Sequence, residues 1–310
     1  MQHYYGLNDV ALNNAWLTIG AFDGVHLGHR KIIDQITAEA HQNEAPAVLL
    51  TFYPHPSTVI HGPRESFYLT LPDEKAKLLE NTGLDAVITY PFDGDVASLS
   101  ASEFLAGLKE HLGFQHLWIG HDFALGKGRE GDAQLLKKIG EEMDFEVRVI
   151  DAFEIKEGIV SSSRIRNLLD EGYIEEANEL LGRPHFVIGE VIMGDQRGRT
   201  IGIPTANLEI DKIRAVPGAG VYACIAEFDG QEFKAVTNVG VRPTFETEPV
   251  APRIETHLLD FHGDIYGKNV ELKFLARLRD EKRFENIDAL VTQIQLDIAI
   301  AQEIFTHMEV

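Results

Sequence analysis

Hydrophobic residues in the first half of the chain form short continuous runs that alternate with segments of helical periodicity. Runs at residues 16–22 and 47–52 flank a segment in which Ile32, Ile33 and Ile36 share one helical face. Continuous apolar runs are typical of parallel strands buried on both faces. The alternation continues with strands predicted at 86–90, 117–119 and 145–150, and with helices at 73–81, 102–112 and 133–142. We therefore predict a doubly wound parallel α/β sheet.

In the second half the pattern changes, because apolar and polar residues alternate with a period of two. Within 270–278, Val270 and Leu272 alternate with Glu271 and Lys273, as expected for a half-buried antiparallel strand. Similar segments occur at 186–193, 221–228 and 233–239. We predict a small antiparallel β-barrel, covered by an amphipathic C-terminal helix.

The change of periodicity follows Gly182 and Pro184, which are typical of a helix end. We place the boundary there, giving domains 1–183 and 184–310.

Because the 310-residue chain has a formal net charge of −21, nucleic acid and anionic membranes are disfavoured as partners. The single cysteine, Cys224, excludes an intramolecular disulfide. The sequence shows neither the basic, apolar N-terminal segment of a signal peptide nor the run of ~20 apolar residues that spans a membrane. We therefore expect a cytoplasmic protein.

Residues 18–30 contain the first candidate site. Here an apolar strand is followed by Asp23-Gly24 and then by a predicted helix, so backbone N–H groups at the helix start can bind an anion. His26 and His29, three residues apart, share a face of the first helical turn and can hydrogen-bond phosphate oxygens. The alternative is an ordinary turn that carries two surface histidines.

Two further stretches of the first half carry residues suited to phosphate. Residues 120–132 combine four glycines with Lys127 and Arg129, although a solvated connector has the same composition. Residues 160–166 place Arg164 and Arg166 at a helix start for which Ser163 is the predicted N-cap. A capped surface helix with exposed arginines is the alternative there.

Two stretches of the second half carry residues suited to metal binding or catalysis. In Pro204-Thr205-Ala-Asn207, the Thr and Asn oxygens are hard ligands that suit Mg²⁺ when ATP phosphates supply the charge. An ordinary turn would use the same residues. Glu255 is an acidic residue in an apolar, strand-like stretch, where it can act as a general base or face solvent as an ordinary strand residue.

Together these motifs resemble those of a known family. Gly-x-Phe-Asp-Gly-x-His-x-Gly-His, from Gly20 to His29, resembles the nucleotidyltransferase His-x-Gly-His signature, in the form found in bacterial bifunctional riboflavin kinase/FAD synthetases. Residues 120–132 and 160–166 match two later motifs of that family, except that Ala124-Leu125 stands where Arg-Phe is common. Residues 194–208 are similar to the riboflavin kinase signature that ends in Pro-Thr-Ala-Asn.

The resemblance implies two ATP- and Mg²⁺-dependent reactions, phosphorylation of riboflavin to FMN and adenylylation of FMN to FAD. It implies an adenylyltransferase domain at 1–183 and a riboflavin kinase domain at 184–310, and it gives no reason to infer an obligate protein partner. The kinase base would be Glu255, and adenylyl transfer would use His26, His29, Ser162 and Arg166. ATP would contact Gly20, Phe22, Asp23, Gly28, Asp122, Arg129, Ser163, Gly198, Arg199 and Gly202. Flavin would contact Pro54, Pro56 and Arg279, and Mg²⁺ would contact Thr205 and Asn207.

Two other functions remain open at the level of sequence. The Ala124-Leu125 departure is compatible with a kinase whose first domain has lost activity, although His26, Gly28, His29 and Arg166 are all present. A flavin sensor that regulates RNA or a partner protein is the non-enzymatic alternative. It is disfavoured by the net charge of −21 and by the presence of Glu255.

Overall fold

The computed structural model describes residues 1–156, 158–194, 198, 201–240 and 253–308. The chain divides into two compact units. The first comprises Met1–Arg64 and Tyr68–Ser162, and the second comprises Glu65–Phe67 and the chain from Ser163 onward. The boundary that the sequence suggested at residues 183–184 stays a prediction. Within the described residues, no helix has the length and apolar character needed to cross a membrane.

The first unit is built on a six-stranded parallel sheet with the order β1-β4-β3-β2-β5-β6. The elements of this unit are β1 Gln2–Tyr5, β2 Trp16–Ile19, α1 Leu27–Gln42, β3 Ala47–Tyr53, α2 Pro56–Ile60, α3 Pro72–Leu79, β4 Ala86–Pro91, α4 Gly94–Ser98, α5 Ala101–Leu112, β5 His116–Gly120, α6 Ala133–Met143, β6 Glu146–Ile150, β7 Glu154–Ile155 and β8 Gly158–Ile159. The edge strand β1 was not predicted, because its sequence Gln-His-Tyr-Tyr is polar and half-exposed.

Helices cover both faces of this sheet, as predicted for a doubly wound fold. In β3, Val48 and Leu50 pack with the buried residues of α5 and α6, whereas Leu49 packs with those of α1 and α3. Since successive side chains of a strand point to opposite faces, a strand covered on both sides is apolar throughout. The continuous apolar run at residues 47–52 has this origin.

The direction of chain crossing reverses between β2 and β5. From β2 the chain proceeds through β3 to β4 on one side of the sheet, and β5 and β6 lie on the other side. Open parallel sheets bind ligands at the carboxyl ends of the strands beside such a switch point. The loops at residues 20–26 and 121–132 follow β2 and β5, so both phosphate motifs of this unit lie at that position.

The second unit contains a closed antiparallel barrel with the order β10-β13-β12-β11-β14-β9. Its elements are α7 Ser162–Asp170, which begins on the last residue of the first unit, α8 Ile174–Leu181, β9 His185–Ile192, β10 Ala206–Glu209, β11 Gly220–Phe228, β12 Gln231–Gly240, β13 Arg253–Leu258, β14 Asn269–Arg279 and α9 Ile287–Met308. The predicted barrel and C-terminal helix are both confirmed.

The amphipathic helix α9 packs on the outside of the barrel. Its residues Ala301 and Phe305 are buried against Val221, Ala223 and Val236 of β11 and β12. The neighbouring residues on these strands, which include Tyr222, Cys224 and Thr237, are fully buried and point into the barrel. The outer face of the barrel is therefore the face that is available for a pocket under α9.

Two predicted helix caps are each wrong by two residues. Helix α5 begins at Ala101, and its N-cap is Ser100 rather than Ser102, because Ser100 and Glu103 form a reciprocal capping box. Helix α7 begins at Ser162, so Ser163 lies in its first turn and is not its N-cap. In α5 the Ser100-x-x-Glu103 spacing is a sequence signal that the prediction overlooked, whereas in α7 three consecutive serines, 161 to 163, offer no such distinction.

Candidate active sites

The turn after β2 has an unusual backbone. Phe22, Gly24 and Val25 all have positive φ, at 47°, 84° and 43°. This conformation is natural for glycine but costs energy for an aromatic or β-branched residue, and it persists only where the surroundings impose it. Phe22 and Val25 are both buried, which supplies that constraint. Gly20 lies against the Phe22 ring, where an added Cβ would come within 3.0 Å of it.

His26 is the N-cap of helix α1. Its Nδ1 accepts a hydrogen bond from the backbone N–H of His29 at 3.2 Å, and its ring stacks on that of His29 with centroids 3.5 Å apart. Gly28 makes this geometry possible, because an added Cβ would approach the His26 ring to 3.1 Å. The spacing of the His-x-Gly-His motif is thus explained by packing of the two rings at the helix start.

Asp23 stabilises the turn through hydrogen bonds of its side chain and its backbone oxygen. Its buried carboxylate accepts hydrogen bonds from the backbone N–H groups of Leu69 and Thr70, at 3.1 and 3.0 Å. The backbone oxygen of Asp23 accepts a hydrogen bond from the Ser162 hydroxyl at 2.9 Å. The structure therefore brings Ser162 to the turn that carries His26. It also gives the Asp23 carboxylate a role in holding the turn, while a contact of Asp23 with ATP stays a prediction.

Lys75 holds the start of the turn through the backbone oxygen of Ala21. The sequence did not predict this residue as part of the site. This buried lysine of α3 donates to the backbone oxygen of Ala21 at 2.7 Å and to the Thr51 hydroxyl at 2.8 Å. Burial lowers the pKa of Lys75 to about 8, an effect that the nearby charge of Asp23 partly opposes. In sequence, Lys75 resembles any surface lysine in the first turn of a helix.

The loop after β5 is open to solvent and is held by its own backbone. The Arg129 guanidinium donates to the backbone oxygen of Asp122 at 2.9 Å, and Leu125 pairs with Gly131 in an isolated bridge. The side chain of Asp122 is 84% exposed. Both predicted ATP contacts of this loop, Asp122 and Arg129, are therefore accessible, and their roles stay predictions.

The predicted flavin residues Pro54 and Pro56 lie in the loop after β3. Pro56 is the first residue of α2, and His55 is the N-cap of that helix. The hydroxyl of Tyr68 accepts a hydrogen bond from the His55 backbone N–H at 2.7 Å, which fixes the loop. A flavin contact at either proline stays a prediction.

Arg166 lies in the second unit. Its Nε donates to the backbone oxygen of Phe67 at 2.6 Å, and its guanidinium lies 4.1 Å from the centroid of the Phe67 ring. Both residues belong to the same compact unit. The placement of Arg166 and Ser163 opposite the histidine turn, which the resemblance implied, stays a prediction.

In the barrel, the kinase candidates form a row across adjacent strands. Asn207 of β10 pairs with Glu255 of β13, and Glu255 pairs with Asn238 of β12. Residues paired in register point to the same face of a sheet, so the three side chains lie side by side. They line a cavity of about 360 Å³ on the outer face of the barrel, a size within the range of ligand pockets.

The other wall of this cavity is formed by α9 and the segment before it. Leu290, Ile294 and Asp297 line it from the helix, and Phe284 lines it from the preceding segment. The helix wall therefore carries apolar residues beside the Asp297 carboxylate, and the strand wall carries the polar row. An aromatic ring system fits the first, and phosphate and metal chemistry fits the second.

The Pro204–Asn207 segment is positioned by contacts around it. The His257 ring is hydrogen-bonded to the backbone oxygen of Pro204 at 2.7 Å. At Gly194 an added Cβ would come within 2.1 Å of the Asn207 side chain, so glycine is required there for Asn207 to keep its orientation. Thr205 and Asn207 both line the cavity.

The predicted nucleotide residues around Gly198 are only partly described. Gly198 lines the cavity, and its backbone oxygen accepts hydrogen bonds from the N–H groups of Ile201 and Ile203. Gly202 has a φ of 78°, the left-handed conformation for which glycine is favoured. Arg199 lies outside the described residues.

Arg279, a predicted flavin residue, lines the cavity but is committed to an ion pair. Its Nε and Nη2 donate to the Asp297 carboxylate at 2.8 to 3.1 Å. Asp297 is 1% exposed and also accepts a hydrogen bond from the Gln293 side chain. The pair joins the end of β14 to α9, so Arg279 has a structural role whether or not it touches flavin.

The donor set of the cavity fits Mg²⁺ only in part. Thr205 and Asn207 provide a hydroxyl and an amide oxygen, which are hard donors without charge. Among the described residues there is no group of three or more His, Cys, Asp or Glu side chains arranged to hold a metal ion. The site therefore fits a magnesium ion that arrives with nucleotide phosphates, since they would supply most of its ligands.

Comparison with known proteins matches both units to enzyme families. A family model described as FAD synthetase matches residues 9–164, and one described as riboflavin kinase matches residues 181–305. The bifunctional riboflavin kinase/FMN adenylyltransferase of Bacillus subtilis (strain 168) is 36% identical, with 94% of this chain and 93% of that protein covered. The Escherichia coli (strain K12) protein of the same name is 35% identical, with 97% and 96% covered.

The fold and the comparisons thus define a transferase with one nucleotidyltransferase domain and one kinase domain. The chain belongs to the bifunctional riboflavin kinase/FMN adenylyltransferase family.

A solved structure has the same fold over almost the whole chain. It is described as a macrolide-efflux protein from Streptococcus pneumoniae, with a TM-score of 0.87 and 31% identity over 97% of this chain and 98% of that one. That description concerns the pneumococcal protein. Because a shared fold does not by itself transfer an activity, it has no bearing on the reaction of this chain.

Proposed function

We propose that each unit of this bifunctional enzyme carries one active site and that the two act in sequence. The second unit transfers the γ-phosphoryl group of ATP to the 5′-hydroxyl of riboflavin and forms FMN. The first unit then joins FMN to the AMP part of ATP and releases pyrophosphate. This division rests chiefly on one observation, that the histidine turn and the Asn207–Glu255 row lie in different compact units.

In the kinase reaction, the hydroxyl of riboflavin must lose a proton as it attacks the γ-phosphorus. Among the carboxylates that line the cavity, Glu255 is the one that pairs in register with Asn207, a predicted magnesium ligand, and we assign it the removal of that proton. Thr205 and Asn207 would hold magnesium together with the ATP phosphates. When bound, magnesium neutralises the charge that develops on the transferred phosphoryl group.

In the adenylyl transfer, the FMN phosphate is already an anionic nucleophile and needs no protein base. An FMN oxygen forms a bond to the α-phosphorus of ATP, and the bond to the pyrophosphate oxygen breaks. The site must stabilise charge at the α-phosphate and on the leaving group. We assign that role to His26 and His29 at the start of α1, supported by Ser162, with Arg166 and Ser163 as the further candidates.

Incubation with riboflavin, ATP and MgCl₂, followed by separation of the flavins, tests the proposal. We expect FAD, with FMN as the intermediate, and no product when EDTA is added. FMN without FAD would identify a kinase with an inactive first domain. Unchanged riboflavin with retained flavin binding would identify a sensor.

A further inference from the structure

Arg253 occupies a central position in the kinase cavity that no motif assigned. Its Nε lies 2.6 Å from an Oε1 of Glu255 and 3.2 Å from Oδ1 of Asn207. The Nε–H therefore donates to a proposed magnesium ligand, while the guanidinium forms an ion pair with the proposed base. Arg253 and Glu255 are two residues apart on β13, so their side chains leave the same face of the strand.

The contact places one positive charge between two oxygen acceptors. The Glu255 carboxylate and the Asn207 amide oxygen lie on adjacent strands in register, and the guanidinium bridges them. Arg253 and Glu255 have side chains that are only 30% and 29% exposed, so water screens this contact less than it screens a fully open ion pair. The bridge therefore limits the motion of both acceptors.

Magnesium binding must change this arrangement. If Asn207 Oδ1 becomes a ligand of a divalent cation, the guanidinium would lie beside a like charge, and like charges disfavour each other. Arg253 must then turn away from Asn207, although it can keep its contact with Glu255. The guanidinium and the metal ion thus compete for one oxygen atom.

We propose that Arg253 is a positioning residue, which holds Asn207 and Glu255 in place and competes with magnesium for the Asn207 oxygen. This inference rests on the proposed kinase function of the cavity. It adds that removal of the Arg253 guanidinium raises the magnesium affinity of the kinase cavity and lowers the rate of FMN formation.

The test compares R253M and R253Q with the wild-type full chain. Calorimetric titration of magnesium at fixed ADP is expected to show tighter binding in both variants, by about two- to fivefold, the size of one partly exposed charge contact. The nucleotide site of the other unit is the same in all proteins, so the difference reports the kinase cavity. R253K keeps the charge and is expected to restore magnesium affinity to near the wild-type value.

Kinetics give the second readout. In initial rates of FMN formation, R253M is expected to have a lower half-saturating magnesium concentration and a lower kcat, with little change in the KM for riboflavin. R283M removes an exposed arginine that does not line the cavity, and it should leave both values unchanged.

Two results would overturn the inference. Weaker magnesium–ADP binding in R253M and R253Q would mean that Arg253 binds the phosphates directly. Unchanged magnesium dependence in both variants would mean that there is no competition. Either result leaves the proposed function intact if the wild type forms FMN, whereas a wild type that forms none removes the proposed function itself.

Discussion

The imidazole rings of His26 and His29 lie stacked, with centroids 3.5 Å apart and planes 16° from parallel. Only His26 also caps the helix, because its Nδ1 accepts the backbone N–H of His29. The two histidines therefore differ in what their loss would do. Removal of His29 takes away one ring of the proposed phosphate site, whereas removal of His26 also takes away a helix cap.

We predict that H26A and H29A both abolish FAD formation from FMN and leave FMN formation from riboflavin intact. H26A should also lower the stability of the first unit by about 1 kcal/mol, as expected for a lost N-cap. Tryptophan fluorescence reports this unit selectively, since Trp16 and Trp118 are the two tryptophans of the chain and both lie there. H41A, at the far end of α1, is the matched control and should keep both activities. Equal stability of H26A and H29A would argue against the capping role.

Gly28 gives a second prediction, in which FAD formation falls and FMN formation does not. An alanine Cβ at this position would lie 3.1 Å from the His26 ring and 3.4 Å from the Val160 backbone oxygen. We expect G28A to displace the His26 ring and to lower FAD formation by at least about tenfold, which corresponds to roughly 1.4 kcal/mol in the barrier. FMN formation should not change.

The control for G28A is G107A. Gly107 is an exposed glycine within α5, and an added Cβ there meets nothing within 4 Å. Alanine in an open helical position is favoured over glycine by up to about 1 kcal/mol, so G107A should stabilise the first unit and keep full activity. A G28A enzyme with wild-type FAD formation would show that ring placement is not critical.

Lys75 predicts a pH dependence of stability. Its pKa is lowered to about 8 in the fold, whereas an unfolded lysine titrates near ~10.4. Between these values the unfolded chain binds a proton that the folded chain has lost, so the stability contributed by this group rises with pH. The rise should amount to about 2 kcal/mol between pH 8 and pH 10.

The comparison between the wild type and K75M isolates this effect from other titrating groups. Denaturant unfolding of the first unit, followed by tryptophan fluorescence at pH 7 to 10, should show the wild type gaining stability relative to K75M as pH rises. K75M should also form FAD more slowly, because Lys75 holds the Ala21 backbone oxygen beneath the histidine turn. A stability difference that stays constant over this pH range would contradict the lowered pKa.

At the Arg279–Asp297 pair, a double variant can separate the contribution of Arg279 to stability from its contribution to riboflavin binding. R279M leaves the Asp297 carboxylate buried without its main cation, and loss of one partner of a buried pair costs about 3–5 kcal/mol. The double variant R279M/D297L replaces both charges with apolar groups and should recover most of that stability. If Arg279 also contacts flavin, the double variant will be stable but will still bind riboflavin poorly. Recovery of riboflavin affinity together with stability would assign Arg279 a structural role alone.

The sequence predicted those parts of the fold and sites that depend on local pattern. Continuous apolar runs indicated the sheet, alternation indicated the barrel, and the glycine between His26 and His29 has a direct packing explanation. Lys75 was missed because its partners Ala21 and Thr51 lie far away in sequence. The one local signal is that Lys75 lies four residues before the buried Leu79, and this spacing does not identify its partners.

Arg253 and Asp297 were missed for different reasons. Arg253 of β13 donates a hydrogen bond to Asn207 of the neighbouring strand β10. This contact depends on the register of the two strands, which the sequence does not specify. Asp297 did leave a signal, since it lies three residues after Ile294 and four before Ala301, on the apolar stripe of α9. An acidic residue at such a position is almost never buried without a partner, so a basic residue near α9 was to be expected.

The central claim, that two separate sites act in sequence, is tested most directly by exchanging substrates between two variants. E255Q and H29A are each incubated with ATP and MgCl₂, once with riboflavin and once with FMN, and the flavins are separated. E255Q should form FMN about 10²- to 10⁴-fold more slowly than the wild type and yet convert supplied FMN to FAD at the normal rate. H29A should convert riboflavin to FMN and stop there. If either substitution lowered both reactions together, the division of the two activities between the units would be wrong.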